Sequence, residues 1–254
     1  MKRKLQNITS KIWSCSAIVL ILIVWQLVSA IGLVDSFMLP SPIQVLRAFI
    51  TEFPILMEHL LVTLAEAFIG LAFGVLLGFV IAVLMDQFEG IYKAFYPLIV
   101  LTQTIPTVAI APLLVLWFGY EMMPKVILIV LTTFFPIAVG MLNGFQSADK
   151  DSINLLRAMG AGRWQIFRHI KFPGALSQFF AGLRISVSYA VVGAVISEWL
   201  GGFHGLGVYM TRVKKAFSFD KMFAVIFLIS IISLLLMKGV DLLQKKCMPW
   251  EKEN

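Results

Sequence analysis

This sequence predicts an all-α, polytopic membrane protein with six transmembrane helices. Three observations carry that prediction. First, 59% of the 254 residues are hydrophobic and only 14% are charged, with a mean hydropathy of +0.91. Soluble domains hold about 45–50% apolar and about 25% charged residues, and a soluble chain of this length could not hide so much apolar side chain, because its surface needs polar cover. Second, the apolar residues fall into runs of roughly 20, the length a helix needs to cross a bilayer. Third, the 21 Lys and Arg outnumber the 14 Asp and Glu to give a formal charge of +7. In such a chain that excess reads as flanking charge that fixes orientation, rather than as a nucleic-acid surface. The composition argues against a cytosolic enzyme, a secreted disulfide scaffold and a disordered chain. Cys15 and Cys247 lie near opposite ends of the chain with no CxxC partner and no metal-ligand spacing, so both read as inert thiols and no metal site is predicted.

The N-terminus reads Met1-Lys2-Arg3-Lys4, followed by an apolar run over about 12–34. A positive start before an apolar run also describes a signal peptide, and Val28-Ser29-Ala30 is a passable cleavage site. The run is longer than a usual signal core and further apolar segments follow, so it is read as an uncleaved first span. Leu39-Pro40-Ser41-Pro42 is a rigid extended breaker, and 43–53 alternates as a short interfacial helix would. The second span covers about 60–85, with a short polar turn over 86–93. The third covers about 95–118 and contains Pro106 and Pro112. Proline removes a backbone donor and kinks a helix, which a span tolerates where neighbours or a water-lined cavity satisfy the freed carbonyl. Spans four, five and six cover about 125–145, 175–200 and 222–243. The chain thus divides into an N-terminal span and connector (1–59), a main membrane body (60–243) and a tail (244–254).

With six spans the two termini share a side. That side holds Lys2, Arg3, Lys4, Lys11, Lys93, Lys150, Arg157, Arg163, Arg168, Lys171, Lys245, Lys246 and Lys252. The other side holds Arg47, Lys125, Arg212, Lys214, Lys215 and Lys221, while Arg184 and Lys238 fall within spans. The excess predicts that both termini and the segment 146–173 are cytoplasmic. The basic cluster at 212–221 runs against that rule.

The segment 146–173 is the one long polar stretch. Ile153, Leu156 and Met159, then Trp164, Phe167 and Ile170, recur at helical spacing. They predict two short amphipathic helices separated by Gly160-Ala161-Gly162, where glycine permits a sharp turn. Such a pair can form a knob on the cytoplasmic face; an ordinary interfacial loop on lipid headgroups is the plainer reading. Gly160, nine residues, then Ile170-Lys171-Phe172-Pro173 resembles the Gly-x9-Ile-x-Leu-Pro signature of permease subunits of bacterial ABC importers. The Glu-Ala-Ala triplet that precedes that signature is replaced here by Asn154-Leu155-Leu156. The nitrate/sulfonate/taurine/thiamine-precursor branch of these permeases is resembled throughout the chain. The residues involved are Leu39-Pro40-Ser41-Pro42, Gln103-Thr104-Ile105-Pro106, Ala111-Pro112, Trp117-Phe118-Gly119, Phe135-Pro136, Gly182-Leu183-Arg184, Glu198-Trp199-Leu200-Gly201-Gly202 and Gly205-Leu206-Gly207.

The resemblance implies a type I ABC importer permease fold in the bacterial inner membrane, with 60–243 as the permease domain. Two permease copies, expected to be a homodimer, would form the pore for a small solute delivered by a substrate-binding protein. Thiamine pyrimidine precursors are the substrate most resembled, with sulfonate- and nitrate-type anions as the alternative. The segment 150–173 would couple to two copies of an ABC ATP-binding subunit. The residues implied are Arg157, Ala158, Met159, Gly160, Ala161, Trp164, Phe167, Ile170 and Pro173. Among these, Met159, Trp164 and Phe167 would form the apolar seat, since aromatic anchors dominate interface energy, and the arginines would steer and orient. The chain has no Gly-x4-Gly-Lys-Ser/Thr loop. It is therefore expected to be no enzyme and to bind no cofactor, the ATP and Mg being used by the partner subunit. His59, His169 and His204 are scattered over three segments and make no catalytic constellation.

Within the spans, Gly70, Gly74 and Gly78 stand four apart, a face for close helix packing. Glu66 lies one turn earlier; an intramembrane carboxylate is a functional candidate, and reaching the headgroup zone is the equal alternative. Arg184 is expected to snorkel. Gln103, Thr104 and Pro106 are the leading translocation-pathway candidates, with Glu66 and Glu198 counted on the pathway beside them. Glu198 beside Gly201-Gly202 is a candidate gate or binding-protein surface, although the glycines serve equally well as a helix cap. A non-transporting membrane scaffold and an ion-driven secondary transporter are the competing classes. The latter is expected to show inverted repeats and paired ionisable groups within spans, and the sequence displays neither clearly.

Overall fold

The computed structural model describes residues 2–250 apart from 33 and 36; within 2–18 the only side chains it describes are those of Trp13, Ser16 and Ala17. The Cys15 thiol, the side chains of Lys2, Arg3, Lys4 and Lys11, and Lys252, which enter the expectations above, therefore lie outside the described residues. The described residues form helices and no strand. In order these are α1 (Lys2–Ile31), α2 (Pro42–Thr51), α3 (Phe53–Gln87), α4 (Glu89–Thr104), α5 (Thr107–Phe118) and α6 (Met122–Gln146). There follow α7 (Lys150–Ala158), α8 (Arg163–Ile166), α9 (Phe172–Leu200), α10 (Leu206–Lys215) and α11 (Phe219–Cys247). Four stretches are long and apolar enough to cross a bilayer: Phe53–Gln87, Met122–Gln146, Arg163–Leu200 and Phe219–Cys247. The broken pair α4–α5 makes a fifth if it counts as one span. The apolar part of α1, Val19–Ile31, is shorter than these.

The chain divides into two compact units, residues 1–58 with 209–228, and residues 59–208 with 229–254. In the first unit the Leu39–Pro42 breaker starts a helix by reciprocal capping. The Gln44 N–H donates to Ser41 Oγ at 3.3 Å, the Ser41 N–H donates to Gln44 Oε1 at 2.7 Å, and Pro42 occupies the first turn. The resulting α2 is not simply interfacial, because Val45 and Ala48 are buried in a core with Ala224, Trp25, Phe49 and Phe223.

Glu52, which ends α2, accepts hydrogen bonds from Lys221 Nζ and, at 3.1 Å, from the Tyr209 hydroxyl. Part of the basic cluster at 212–221 thereby finds its reason. Lys221 answers Glu52, and Arg212, Lys214 and Lys215 occupy the last turn of α10, where the helix dipole favours cations. The Lys221 hydrogen bond holds the Glu52 carboxyl below its ordinary 4.5, against burial and with help from Tyr209. A depressed carboxyl stabilises fully above its unfolded value and loses that contribution as pH falls through the folded one. Glu52→Gln is therefore expected to lower the melting temperature at pH 7 and to leave a shallower decline between pH 5 and 3. Melting curves over that range for both proteins check this, and parallel declines would refute it.

The second unit is built on α6 and α9, its most extensive helix pair. Small residues let their backbones touch: a Cβ at Gly144 would fall 2.6 Å from the Ala175 Cβ, and one at Gly182 would fall 2.5 Å from the Pro136 carbonyl oxygen. The Ser186 hydroxyl donates to the Thr133 carbonyl at 2.7 Å across the same seam. On its other side α6 receives α3, where a Cβ at Gly70 would meet Ile129 at 2.5 Å, one at Gly78 would meet the Phe134 carbonyl oxygen at 2.6 Å, and one at Gly74 would overlap Thr133. The glycine face of α3 thus lies on α6, and Ala82, Ile137, Met141, Phe145 and Ala175 are buried in the core cluster there. Helix α9 also packs Phe180 and Val187 with Val240 and Met248. Arg184 does not snorkel: Nε donates to Asp241 Oδ1 at 2.5 Å and an Nη donates to Gln244. Asp241 lies on α11, a partner that only tertiary folding supplies.

Gly182→Ala is expected to destabilise this unit by about 1–3 kcal/mol, because the new methyl strikes a carbonyl that belongs to backbone and cannot rotate away. Gly239→Ala on α11 is the matched control, with nothing within 4 Å of the added Cβ. Unfolding in detergent checks both; equal stabilities for the two variants would refute the close-packed seam.

Candidate functional site

The polar segment after α6 is a helical hairpin. Asp149 caps α7, accepting from the backbone N–H of Asp151 at 3.3 Å and of Ser152 at 3.0 Å, and from the Ser152 hydroxyl. These donors, the Ser152 hydroxyl foremost, hold the Asp149 carboxyl below its ordinary value. At the other end of α7 the Gly160 N–H donates to the Arg157 carbonyl and the Ala161 N–H to the Leu156 carbonyl, both at 2.9 Å. Gly160 has φ +84°, so this is a complete Schellman stop with glycine in its left-handed position. Helix α8 restarts when the Gly162 N–H donates to Gln165 Oε1 at 2.7 Å.

The second expected short helix does not stay separate. After α8 the backbone widens into a π turn over Phe167–Lys171 and continues without a break into α9. Pro173 does not end the segment; it lies in the first turn of α9, directly after the π turn, a position where the missing N–H is tolerated. From Arg163 to Leu200 the helix runs 38 residues.

Burial corrects the expected apolar seat. Met159 is 73% exposed and Trp164 is 64% exposed, but Phe167 is buried at 5%. The Phe167 ring lies 5.2 Å from that of Phe145 and forms the stacked floor beneath Trp164, at 5.4 Å. Its place is taken by Leu155, which is 64% exposed and stands one helical turn before Met159. The periodic pattern pointed to Ile153 and Leu156 instead, both half-buried. Arg157, Ala158 and Gly160 are exposed, while Ala161, Ile170 and Pro173 are half-buried. Lys171 donates to Asp86 Oδ1 at 2.6 Å and so fastens the base of the hairpin to the end of α3. Arg157 and Arg163 line an adjacent cavity of about 400 Å³ with Asp86 and Glu89.

The expected kinked third span is instead broken. Helices α4 and α5 meet at 97°. Pro106 denies Ile105 the helical region, and Ile105 sits at φ −85°, ψ 121°. Gln103 and Pro106 line a cavity of about 320 Å³ at the break, together with Thr102, Thr107, Thr132 and Tyr189. Thr104 does not line it; its hydroxyl donates to the Leu101 carbonyl at 2.8 Å.

Glu66 and Glu198 lie elsewhere, in a buried charge cluster. Lys125 Nζ donates to Glu66 Oε1 at 2.6 Å, with both side chains at most 6% exposed. Glu198, 1% exposed, accepts from the Thr63 hydroxyl at 2.8 Å and from the Gly207 N–H at 2.6 Å. The Leu206 N–H donates to Thr63 Oγ1, and the Gly205 N–H to His59 Nδ1, both at 2.9 Å. The headgroup reading of Glu66 and the surface reading of Glu198 are therefore corrected: both carboxyls are enclosed, and Glu198 ties the start of α10 to α3. A Cβ at Gly207 would overlap the Val195 carbonyl and crowd Glu198, so that glycine permits the close approach. The cluster also supplies the paired ionisable groups that the sequence did not reveal. Among the described residues no group of His, Cys, Asp and Glu could hold a metal ion.

Long apolar helices, a polar hairpin between two of them and a cleft without charged lining at a broken helix define a helical membrane protein. This chain belongs to the family of binding-protein-dependent transport system inner membrane components, whose model matches residues 74–248. It is 38% identical over 255 residues to the formylaminopyrimidine transport permease ThiX of Halalkalibacterium halodurans, covering 100% of both chains. It is 30% identical over 247 residues to the taurine transport system permease TauC of Escherichia coli, covering 94% of this chain and 90% of that one. A chain of the inward-facing MetNI methionine ABC transporter shares its fold, with a TM-score of 0.68 at 20% identity over 77% of this chain and 97% of that chain. The branch is that of the permeases named for nitrate, sulfonates, taurine and formylaminopyrimidine. The chain is accordingly a multi-pass membrane permease and not an enzyme.

Proposed function

We propose that this chain forms half of the translocation pathway of an ATP-driven importer in the bacterial inner membrane, as one of two identical permease copies. In this reading α1 and the broken pair α4–α5 complete six spans, both termini are cytoplasmic, and 60–243 is the permease domain between the 1–59 connector and the 244–254 tail. The hairpin at 150–173 docks on an ABC ATP-binding subunit, two of which serve the dimer, and a substrate-binding protein delivers the solute. The solute is an aminopyrimidine precursor of thiamine in preference to a sulfonate- or nitrate-type anion, as the full-length 38% identity to ThiX suggests.

The observation that carries this reading is the exposed Leu155, Met159 and Trp164 on a hairpin continuous with α9. Such side chains on a polar segment suit a protein seat, and the helix they belong to can carry a displacement into the membrane. Co-expression with the ATP-binding subunit tests it. Trp164→Asp and Met159→Asp are expected to abolish co-purification and ATP-dependent uptake, while the permease itself keeps its melting temperature. Undiminished co-purification of both variants would overturn the assignment.

A further inference from the structure

A second cavity, of about 330 Å³, adjoins the one at the helix break; Gln178, Asn143, Ile185 and Pro136 help line it. Among the described residues only two line both cavities: Gln103, in the last turn of α4, and Tyr189, in the middle of α9. Both are exposed side chains, at the margin that the two open clefts share. Among the described residues no acidic, basic or histidine side chain lines either chamber. Polar lining is supplied instead by Thr102, Thr107, Thr132, Asn143 and Gln178. Moving an anion through such a space would strip its hydration with no compensating cation. A neutral solute with a few hydrogen-bonding groups meets no such barrier.

We infer that Gln103 and Tyr189 form a solute-reading site on the pathway, and that it favours neutral, planar nitrogen heterocycles. This rests on the reading of the chain as half of an importer pore. A glutamine amide presents one acceptor beside one donor. That edge pairs in two-pronged fashion with a ring nitrogen next to an exocyclic amine, as glutamine pairs with adenine. The Tyr189 ring adds a flat face for stacking and a hydroxyl for orientation. The amide reads the edge and the phenol reads the plane.

The test uses the complete transporter in proteoliposomes, this chain with its ATP-binding subunit and binding protein. ATP-driven uptake is measured for formylaminopyrimidine, for its analogue lacking the ring amine, and for methanesulfonate. Wild type is expected to carry formylaminopyrimidine far faster than methanesulfonate. Gln103→Leu is expected to reduce the uptake ratio of formylaminopyrimidine to its des-amino analogue at least tenfold. Tyr189→Leu is expected to slow both pyrimidines at least tenfold, and Tyr189→Phe only severalfold. A merely structural defect would lower all solutes together and leave the ratio unmoved. An unchanged ratio in Gln103→Leu, or undiminished uptake of both pyrimidines in Tyr189→Leu, overturns the inference while the importer reading stands. No ATP-driven uptake of any of the three solutes overturns both.

Discussion

Lys125→Met is expected to destabilise the protein by about 3–5 kcal/mol, the largest effect of any single substitution considered for this chain. Lys125 is 5% exposed, and its ammonium meets Glu66 at 2.6 Å inside a helix bundle. Removing it leaves the Glu66 and Glu198 carboxyls enclosed together without the ammonium that Glu66 hydrogen-bonds. The whole desolvation cost of Glu66 then falls on the folded state, where the ammonium had offset it. The double variant Lys125→Met, Glu66→Leu is expected to regain most of the loss, because apolar residues of similar volume often replace a buried pair without net cost. Equilibrium unfolding in detergent of the two variants and of wild type measures both quantities. A single variant as stable as wild type would refute the account of the cluster.

The second large effect is functional rather than structural. Gly160→Val is expected to reduce ATP-driven uptake at least tenfold while the melting temperature stays near that of wild type. No atom lies within 4 Å of a Cβ added at Gly160, so the substitution creates no clash and costs no packing. Its whole effect comes from φ +84°, a conformation that costs an ordinary L-residue about 1–2 kcal/mol and a β-branched one more. The Schellman stop then yields, and Met159 and Trp164 lose their fixed spacing across the turn. Gly160→Asn, which tolerates the left-handed region, is expected to retain most of the uptake. Wild-type uptake in Gly160→Val would sink the idea that the turn matters.

The all-helical class, the breaker before α2, the turn at Gly160 and the close-packing face of Gly70, Gly74 and Gly78 could all be read from the sequence. Each depends on neighbours in the chain or on residues one helical turn apart. What could not be read depends on distant partners. The Lys125–Glu66 pair joins residues 59 apart and the Thr63–Glu198 hydrogen bond residues 135 apart, and no periodicity encodes either. Lys125 counted as a flanking charge because it opens an apolar run, yet the fold encloses it. Phe167 sat correctly on an amphipathic face, but that face is the one turned to Phe145, and Leu155 occupies the outward position. The two prolines of the third apolar run suggested a kink. Only tertiary structure reveals that the chain at Pro106 turns through a right angle and that Pro112 lies undisturbed within α5.

The unbroken helix from Arg163 to Leu200 has a mechanical consequence. At about 1.5 Å per residue its 38 residues make a rod of roughly 57 Å. A tilt of about 5° around its midpoint swings each end by roughly 2.5 Å in opposite senses. One end carries Trp164 and the other carries Glu198, with Tyr189 about a third of the way in from the Glu198 end. A push on the indole is therefore felt, reversed in direction, at the glycine loop that Glu198 clamps, and in the same reversed sense at Tyr189. The rod needs no joint of its own for this; the give lies in what it is fastened to.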